Sequence, residues 1–183
     1  MEVPVEMIKQ LRDKTGCGVI DCKKALAETG GDFKRAEEVL LKRGMEMAMK
    51  KSSRETKQGR IESYVHPGNK MAVLLEVNCE SDFVAQNQDF CQFTKDVALH
   101  IAASDPLPKY IRETDVPAEV LNSLTDKKTF LKENCLLIQP FVKDPSRTIH
   151  DYLNSVIAKI GENIVISRFI RYKVGEIEQR TNL

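Results

Sequence analysis

Near residue 60 the spacing of apolar residues changes from about 3.6 to 2, and that change requires a fold with both helices and strands. Before it, Val5, Ile8 and Leu11 recur at helical spacing and Gly16 closes the segment as a left-handed cap. Val19, Cys22 and Leu26 give a second helix its apolar face, and Gly30-Gly31 ends it. Asp32 is placed to cap a third helix in which Phe33, Ala36, Val39 and Leu40 form one stripe before Gly44. Residues 1–44 therefore read as a minimal three-helix bundle.

Residues 45–59, MEMAMKKSSRETKQG, are polar and basic after their methionines and have no period that would bury a face, so they read as a linker. Beyond them, RIESYVH and MAVLLEV flank the turn-rich His66-Pro67-Gly68-Asn69-Lys70, which predicts an antiparallel hairpin over 60–78. Met71, Val73, Leu75 and Val77 share one of its faces. A helix from about Asn87 to Ser104 carries Phe90, Phe93, Val97 and Ile101 on one stripe, suited to covering that face, and Pro106 and Pro108 end it. Two shorter helices follow, in AEVLNSL and DKKTFLKENCLL, and a longer one from near Ser146 to Gly161. ENIVISRFIRYKV, rich in β-branched residues, reads as a last strand with Ile164, Ile166, Ile170 and Tyr172 on one face. Helices interspersed with an antiparallel hairpin predict an α+β core over 60–176 and a tail over 177–183.

Charge and cysteine usage narrow the function. Lys and Arg number 28 against 27 Asp and Glu, a formal charge of +1, so no global field would hold the chain on nucleic acid or an anionic membrane. The basic linker lacks aromatic residues for base stacking, and no direct nucleic-acid contact is expected of it. No stretch reaches the roughly 18 to 20 apolar residues of a membrane span, and the first residues do not resemble a secretory leader. Five cysteines without a CxxC suit a reducing compartment, the cytoplasm or an organelle matrix. Cys17 and Cys22 lack the spacing of a zinc finger or ribbon, so no metal is expected. His66, His100 and His150 fall in three different elements with no nucleophile pattern beside them, and the chain reads as a non-enzyme that needs no cofactor.

Two local patterns stand out. In EVNCESDFVAQN, residues 76–87, a strand ends near Asn78, and Ser81 or Asp82 can cap the helix that carries the Phe90 stripe. Local physics leaves two arrangements open: Phe83 packs inward as a hydrophobic staple, or Asp82 and Phe83 project together as a charged wedge. In TGCGVIDCKKAL, residues 15–26, two glycines frame a tight corner that delivers Val19 and Ile20 to a helix start. Adjacent residues point about 100 degrees apart on a helix, so one interior cannot take both. An exposed apolar spot with Arg12 and Lys23 nearby would suit docking on a partner.

These stretches, with GGDFKRAEEVLLKRG, HIAASDP, QPFVKDPS and KIGENIVISRFIRYKVGE in order along nearly the whole chain, resemble the elongation factor Ts family, the guanine-nucleotide exchange factors of elongation factor Tu. The resemblance implies an N-terminal UBA-like three-helix domain and an α+β core with a small antiparallel sheet. It implies that Val19 and Ile20, supported by Arg12 and Lys23, dock on the GTP-binding domain of elongation factor Tu. Ser81, Asp82, Phe83 and Val84 match the family's intruding motif, which wedges near the nucleotide and dislodges Mg²⁺, and His100 matches a partner-contacting histidine. Long family members carry a protruding dimerising hairpin where this chain has only about residues 118–138, and many carry a C-terminal amphipathic helix beyond KVGEIEQ that is lacking here. By analogy with short-form members, a homodimer is expected. The competing expectation is a UBA-like adaptor or scaffold without exchange activity, in which Phe83 would be buried.

Overall fold

A computed structural model describes residues 3–176 as an α+β chain with two hydrophobic clusters. The first cluster belongs to α1 (Val5–Thr15), α2 (Val19–Glu28) and the first half of α3 (Phe33–Lys51). Leu11, Cys22, Ala25, Leu26 and Ala36 are fully buried there, with Ile8 and Leu40 beside them. Asp32 caps α3 by accepting the Arg35 amide at 3.0 Å. Val5, read as part of the α1 stripe, faces solvent instead. It is the first residue of α1, and Val3, just before it, takes the inward place.

Gly44 does not end the third helix, which runs on to Lys51 through seven residues of the expected linker. Tertiary packing decides this. Gly44 is buried with its backbone against α8 (Ile149–Ile160), where a Cβ at Gly44 would lie 3.6 Å from the Asn154 carbonyl oxygen. The helix turn that glycine weakens is held by a neighbour the sequence places 110 residues away. At its end, the Lys51 ammonium donates to the carbonyl of Gly161, which caps α8.

The second cluster is built on a three-stranded antiparallel sheet in the order β1 (Gln58–Val65), β2 (Met71–Cys79), β5 (Ile164–Lys173). Val73, Leu75 and Val77 face inward as the period of two requires. Over them lies α5 (Gln88–Ala103), whose Phe90, Phe93, Val97 and Ile101 are completely buried. Each of these side chains contributes about 1.5–3 kcal/mol relative to exposure. Two short helices, α6 (Ala118–Ser123) and α7 (Lys127–Asn134), lie within residues 118–138. They lead to a small ribbon of β3 (Pro140–Phe141) and β4 (Asp144–Thr148).

Two expectations are corrected in the last third of the chain. Residues 146–148 extend the strand β4 and do not begin the helix. Helix α8 starts at Ile149 because Thr148 and Asp151 form a capping box, with the Asp151 amide donating to Thr148 Oγ1 at 3.1 Å and the Thr148 amide donating to Asp151 Oδ2 at 2.9 Å. In β5, Ile164 and Ile166 face inward as read, but Ile170 and Tyr172 do not share their face. The pairing skips Ser167, since Val77 lies opposite Ile166 and Glu76 opposite Arg168. That bulge turns Phe169 and Arg171 inward and sends Ile170 and Tyr172 to the outer face. The buried Arg171 guanidinium then donates to the Ser104 carbonyl at 2.7 Å and the Ile101 carbonyl at 3.4 Å, closing the C-terminus of α5.

Candidate functional site

Strand β2 ends at Cys79, and one four-residue helix, α4 (Asp82–Ala85), separates it from α5. Ser81 caps α4, its Oγ accepting the Val84 amide at 3.4 Å, and Asn87 caps α5, its Oδ1 accepting the Asp89 amide at 2.8 Å. Between these caps Val84 turns inward onto the main cluster. Phe83, one helical step before it, points away and is 82% exposed. Asp82 is also exposed, and no hydrogen-bond partner reaches its side chain among the described residues. The inward-staple arrangement left open by the sequence is thus replaced by a projecting ring with a carboxylate beside it. A buried Phe83, as an adaptor would have, is not what the fold gives.

The base of this projection is polar and closely held. The Glu162 carboxylate accepts the Ser81 amide at 3.0 Å and the Ser81 hydroxyl at 2.6 Å. Glu80 Oε1 accepts the Asn163 amide at 2.6 Å. Cys79 donates its thiol hydrogen to the Ser81 carbonyl at 3.1 Å. Burial, reinforced by the nearby Glu162 carboxylate, pushes the Cys79 thiol up to about 11, so at neutral pH it is a protonated packing group. Glu80, Glu162 and Asn163 were not legible as site residues. Their partners lie some eighty positions away, and the only local hint is a polar Glu-Asn pair between Gly161 and an apolar strand.

The second candidate patch lies on the helical module. Gly16, at φ 71°, takes the left-handed cap conformation that a side chain disfavours, and its amide donates to the Arg12 carbonyl at 2.7 Å. Gly18 then opens α2 with Val19 and Ile20 at its first two positions. Cys22 and Leu26 are buried, whereas Val19 and Ile20 are 50% and 69% exposed. Val19, which the helical spacing puts on the apolar face of α2, therefore lies outside the bundle. Arg12 and Lys23 are exposed nearby on α1 and α2. This patch and the Asp82-Phe83 projection rise from elements that build different hydrophobic clusters.

His100 behaves otherwise than its expected contact role requires. It is only 4% exposed. Its Nδ1 accepts the Val142 amide at 3.2 Å, and Nε2 lies 3.0 Å from Gln139 Oε1, to which the neutral tautomer donates. Burial is the main cause that holds its pKa below the ordinary value. A neutral imidazole with both nitrogens engaged fixes the segment after α7 and has no free edge for a partner.

The remaining titratable groups do not converge. His66 meets only the Tyr64 hydroxyl, at 3.0 Å, and no histidine ring lies within hydrogen-bond reach of a serine, a cysteine or a carboxylate among the described residues. No group of three or more His, Cys, Asp or Glu residues is placed to hold a metal among them, and no helix is long and apolar enough to cross a membrane.

The family model described as elongation factor TS matches residues 22–127 and 126–176. Elongation factor Ts of Thermodesulfovibrio yellowstonii is 42% identical over 200 aligned positions that cover 97% of this chain and 99% of that protein. Those of Alkaliphilus oremlandii and Fervidobacterium nodosum are 47% and 44% identical, over 96% of this chain in each case and over 91% and 100% of their own lengths. A projecting Asp-Phe pair on a capped turn, an exposed Val-Ile corner on a helical module, and similarity along almost the full length lead to one assignment: the chain belongs to the elongation factor Ts family.

Proposed function

We propose that the chain binds GDP-bound elongation factor Tu and speeds GDP release by disturbing the Mg²⁺ and phosphate site with Asp82 and Phe83. The observation that carries this reading is the ring of Phe83, 82% exposed on a turn whose next residue, Val84, is locked into the core. A large apolar ring is held in water only at a cost, and it gains about 1.5–3 kcal/mol when a partner buries it. Phe83 supplies the wedge. Asp82 perturbs the polar network around the metal without needing to bind it, Ser81 caps the turn and Val84 anchors it. A nucleotide held by a phosphate loop depends on Mg²⁺ to offset phosphate charge, so disturbing the metal weakens binding without a covalent step. By linkage, a factor that prefers the nucleotide-free partner lowers nucleotide affinity by the same ratio.

Val19 and Ile20, flanked by Arg12 and Lys23, supply docking of the helical module on the GTP-binding domain. His100 supports the fold of the core and makes no direct contact. The role belongs wherever translation runs, the cytoplasm or an organelle matrix. A second copy of the chain is the further partner. On the outer face of the sheet, Val65, Ala72 and Tyr172 form one cross-strand row and Ser63, Leu74 and Ile170 the next. Val65, Leu74 and Tyr172 in these rows are largely exposed, and a two-fold pairing of sheet on sheet would cover them.

Release of a fluorescent GDP from elongation factor Tu tests the reading. The parent chain accelerates release, and a folded Asp82→Ala, Phe83→Ala double variant loses the acceleration while keeping its melting temperature. Val19→Ala with Ile20→Ala raises the concentration needed for half-maximal effect. Binding without any acceleration by the parent overturns exchange and leaves the adaptor.

A further inference from the structure

Two carboxylates cross between the turn before α4 and the turn after α8, and each receives the backbone amide that follows the other. Glu162 takes the amide of Ser81 at 3.0 Å, and Glu80 takes the amide of Asn163 at 2.6 Å. The lock extends into the segment after α3. Arg54 Nη1 stands 3.4 Å from both oxygens of Glu80, and Asn163 Nδ2 donates to the Arg54 carbonyl at 2.8 Å and the Ser52 carbonyl at 3.5 Å. Three stretches far apart in sequence are thus tied under Phe83.

A four-residue helix has no stability of its own, since nucleation costs more than so few hydrogen bonds return. The direction of Phe83 therefore depends on what holds its N-terminus. Ser81 spends its lone pair on the Val84 amide and its proton on Glu162, and the second bond, at 2.6 Å to an anion, is the shorter and stronger of the two. Val84 fixes the depth of the turn in the core. The Glu162 carboxylate, bound to Ser81 through two atoms, fixes its rotation.

We infer that Glu162 is a positioning residue for exchange, holding Ser81 so that the Phe83 ring is aimed before the partner arrives, with Glu80 and Asn163 as the reciprocal half of the clamp. The inference rests on the exchange reading above for its kinetic consequence and on geometry alone for its structural one. A loosened turn must be ordered during insertion, so the loss falls on the maximal release rate and not on docking, which uses the helical module.

Two measurements on the full chain, with each variant first shown to melt as the parent does, decide the matter. In GDP release from elongation factor Tu, Glu162→Ala lowers the maximal rate about tenfold to a hundredfold, the equivalent of one lost charge-assisted hydrogen bond, with half-saturation within about twofold of the parent. Glu162→Gln, which keeps one acceptor for the Ser81 hydroxyl, recovers part of the rate. Adding Ser81→Ala to Glu162→Ala costs less than it does alone, because the two share one interaction. An unchanged maximal rate in Glu162→Ala, or additive effects, overturns the inference while leaving exchange itself intact. In the free protein, Glu162→Ala speeds hydrogen exchange of the 84–87 amides and leaves those of α5 beyond Cys91 unchanged. Unaltered exchange at 84–87 overturns the clamp whether or not the parent releases GDP. A parent that fails to speed release removes the kinetic half, and hydrogen exchange still decides the structural half. Should Glu162→Ala fail to fold, Glu162→Gln carries both comparisons.

Discussion

Replacing Gly44 by alanine should stabilise the chain, and the size of the gain follows from the contact between α3 and α8. Glycine inside a helix costs about 0.8–1.0 kcal/mol relative to alanine. The new Cβ would meet the Asn154 carbonyl oxygen at 3.6 Å, the Asn154 carbonyl carbon at 3.8 Å and the Ala158 Cβ at 3.9 Å. These are ordinary van der Waals separations, so the methyl fills space without displacing α8. Its burial adds a few tenths of a kcal/mol, below the roughly 0.8 kcal/mol of a fully apolar site because one neighbour is a carbonyl oxygen. The total is about 1–1.5 kcal/mol, or a rise in melting temperature of about 2–6 °C for a chain of this size. Thermal unfolding followed by circular dichroism, with urea denaturation as a second scale, reads it. Gly59→Ala is the control of opposite sign, since its Cβ would lie 2.3 Å from the Val77 carbonyl oxygen at a φ of 154°. A Gly44→Ala variant less stable than the parent would refute the reasoning, because it would mean that α3 breaks at residue 44 or meets α8 more closely than described.

Mild acid should weaken the fold through one buried imidazole. His100 has its pKa lowered on folding from the ordinary 6.5, so the unfolded chain binds more protons below that pH, and stability falls as pH drops from 6.5 toward the folded value. His100→Gln should flatten the dependence of melting temperature on pH between about 7.5 and 5, and an unchanged slope would show that the imidazole is not held neutral. Asp144, whose carboxyl is lowered chiefly by the Ser146 hydroxyl, loses its contribution only as pH falls through and below 3.8, outside that window. Leu74→Glu, placed on the outer sheet face between Ser63 and Ile170, should shift a dimer to monomer in sedimentation velocity with unchanged circular dichroism. A parent that sediments as a monomer at all concentrations removes the second copy as a partner.

Much of the fold was legible because it depends on local pattern. The hairpin, the Phe90–Ile101 stripe and the glycine-cut bundle follow from periods of two and 3.6, from turn residues and from caps such as Asp32. Two of the differences have their cause in remote partners, while the start of α8 is set locally by the Thr148–Asp151 capping box. Gly44 looks like a helix end until α8 is packed on it, and the inward face of β5 cannot be followed past Ser167 without knowing the register opposite Glu76 and Val77. The site divides the same way. Helical geometry requires one of Val19 and Ile20 to face outward but does not require both, and resemblance points to Asp82 and Phe83. Local physics could not choose the exposure of Phe83, because the choice is made by Val84 entering the core and by Glu162 holding Ser81. The burial of His100 is hidden from local pattern too, as its partners Gln139 and Val142 lie about forty residues away.

The extra residue in β5 has a consequence for how this chain can vary in length. Ser167 sits where one strand changes the side it shows to the core, so the residues before it and after it obey opposite rules of inside and outside. Removing that single position would keep Ile166 opposite Val77 and Arg168 opposite Glu76, so Phe169 and Arg171 would stay inward in a strand of regular alternation. The Ser104 and Ile101 carbonyls at the end of α5 would keep the donor that closes them. Losing Ile170 with the bulge retained would instead carry Arg171 to the outer face and take that donor away. Length changes in the connection that carries α6 and α7 alter a surface excursion, whereas in β5 the outcome depends on which residue is lost. Tolerance to insertion and deletion in this fold is therefore set by register more than by depth of burial.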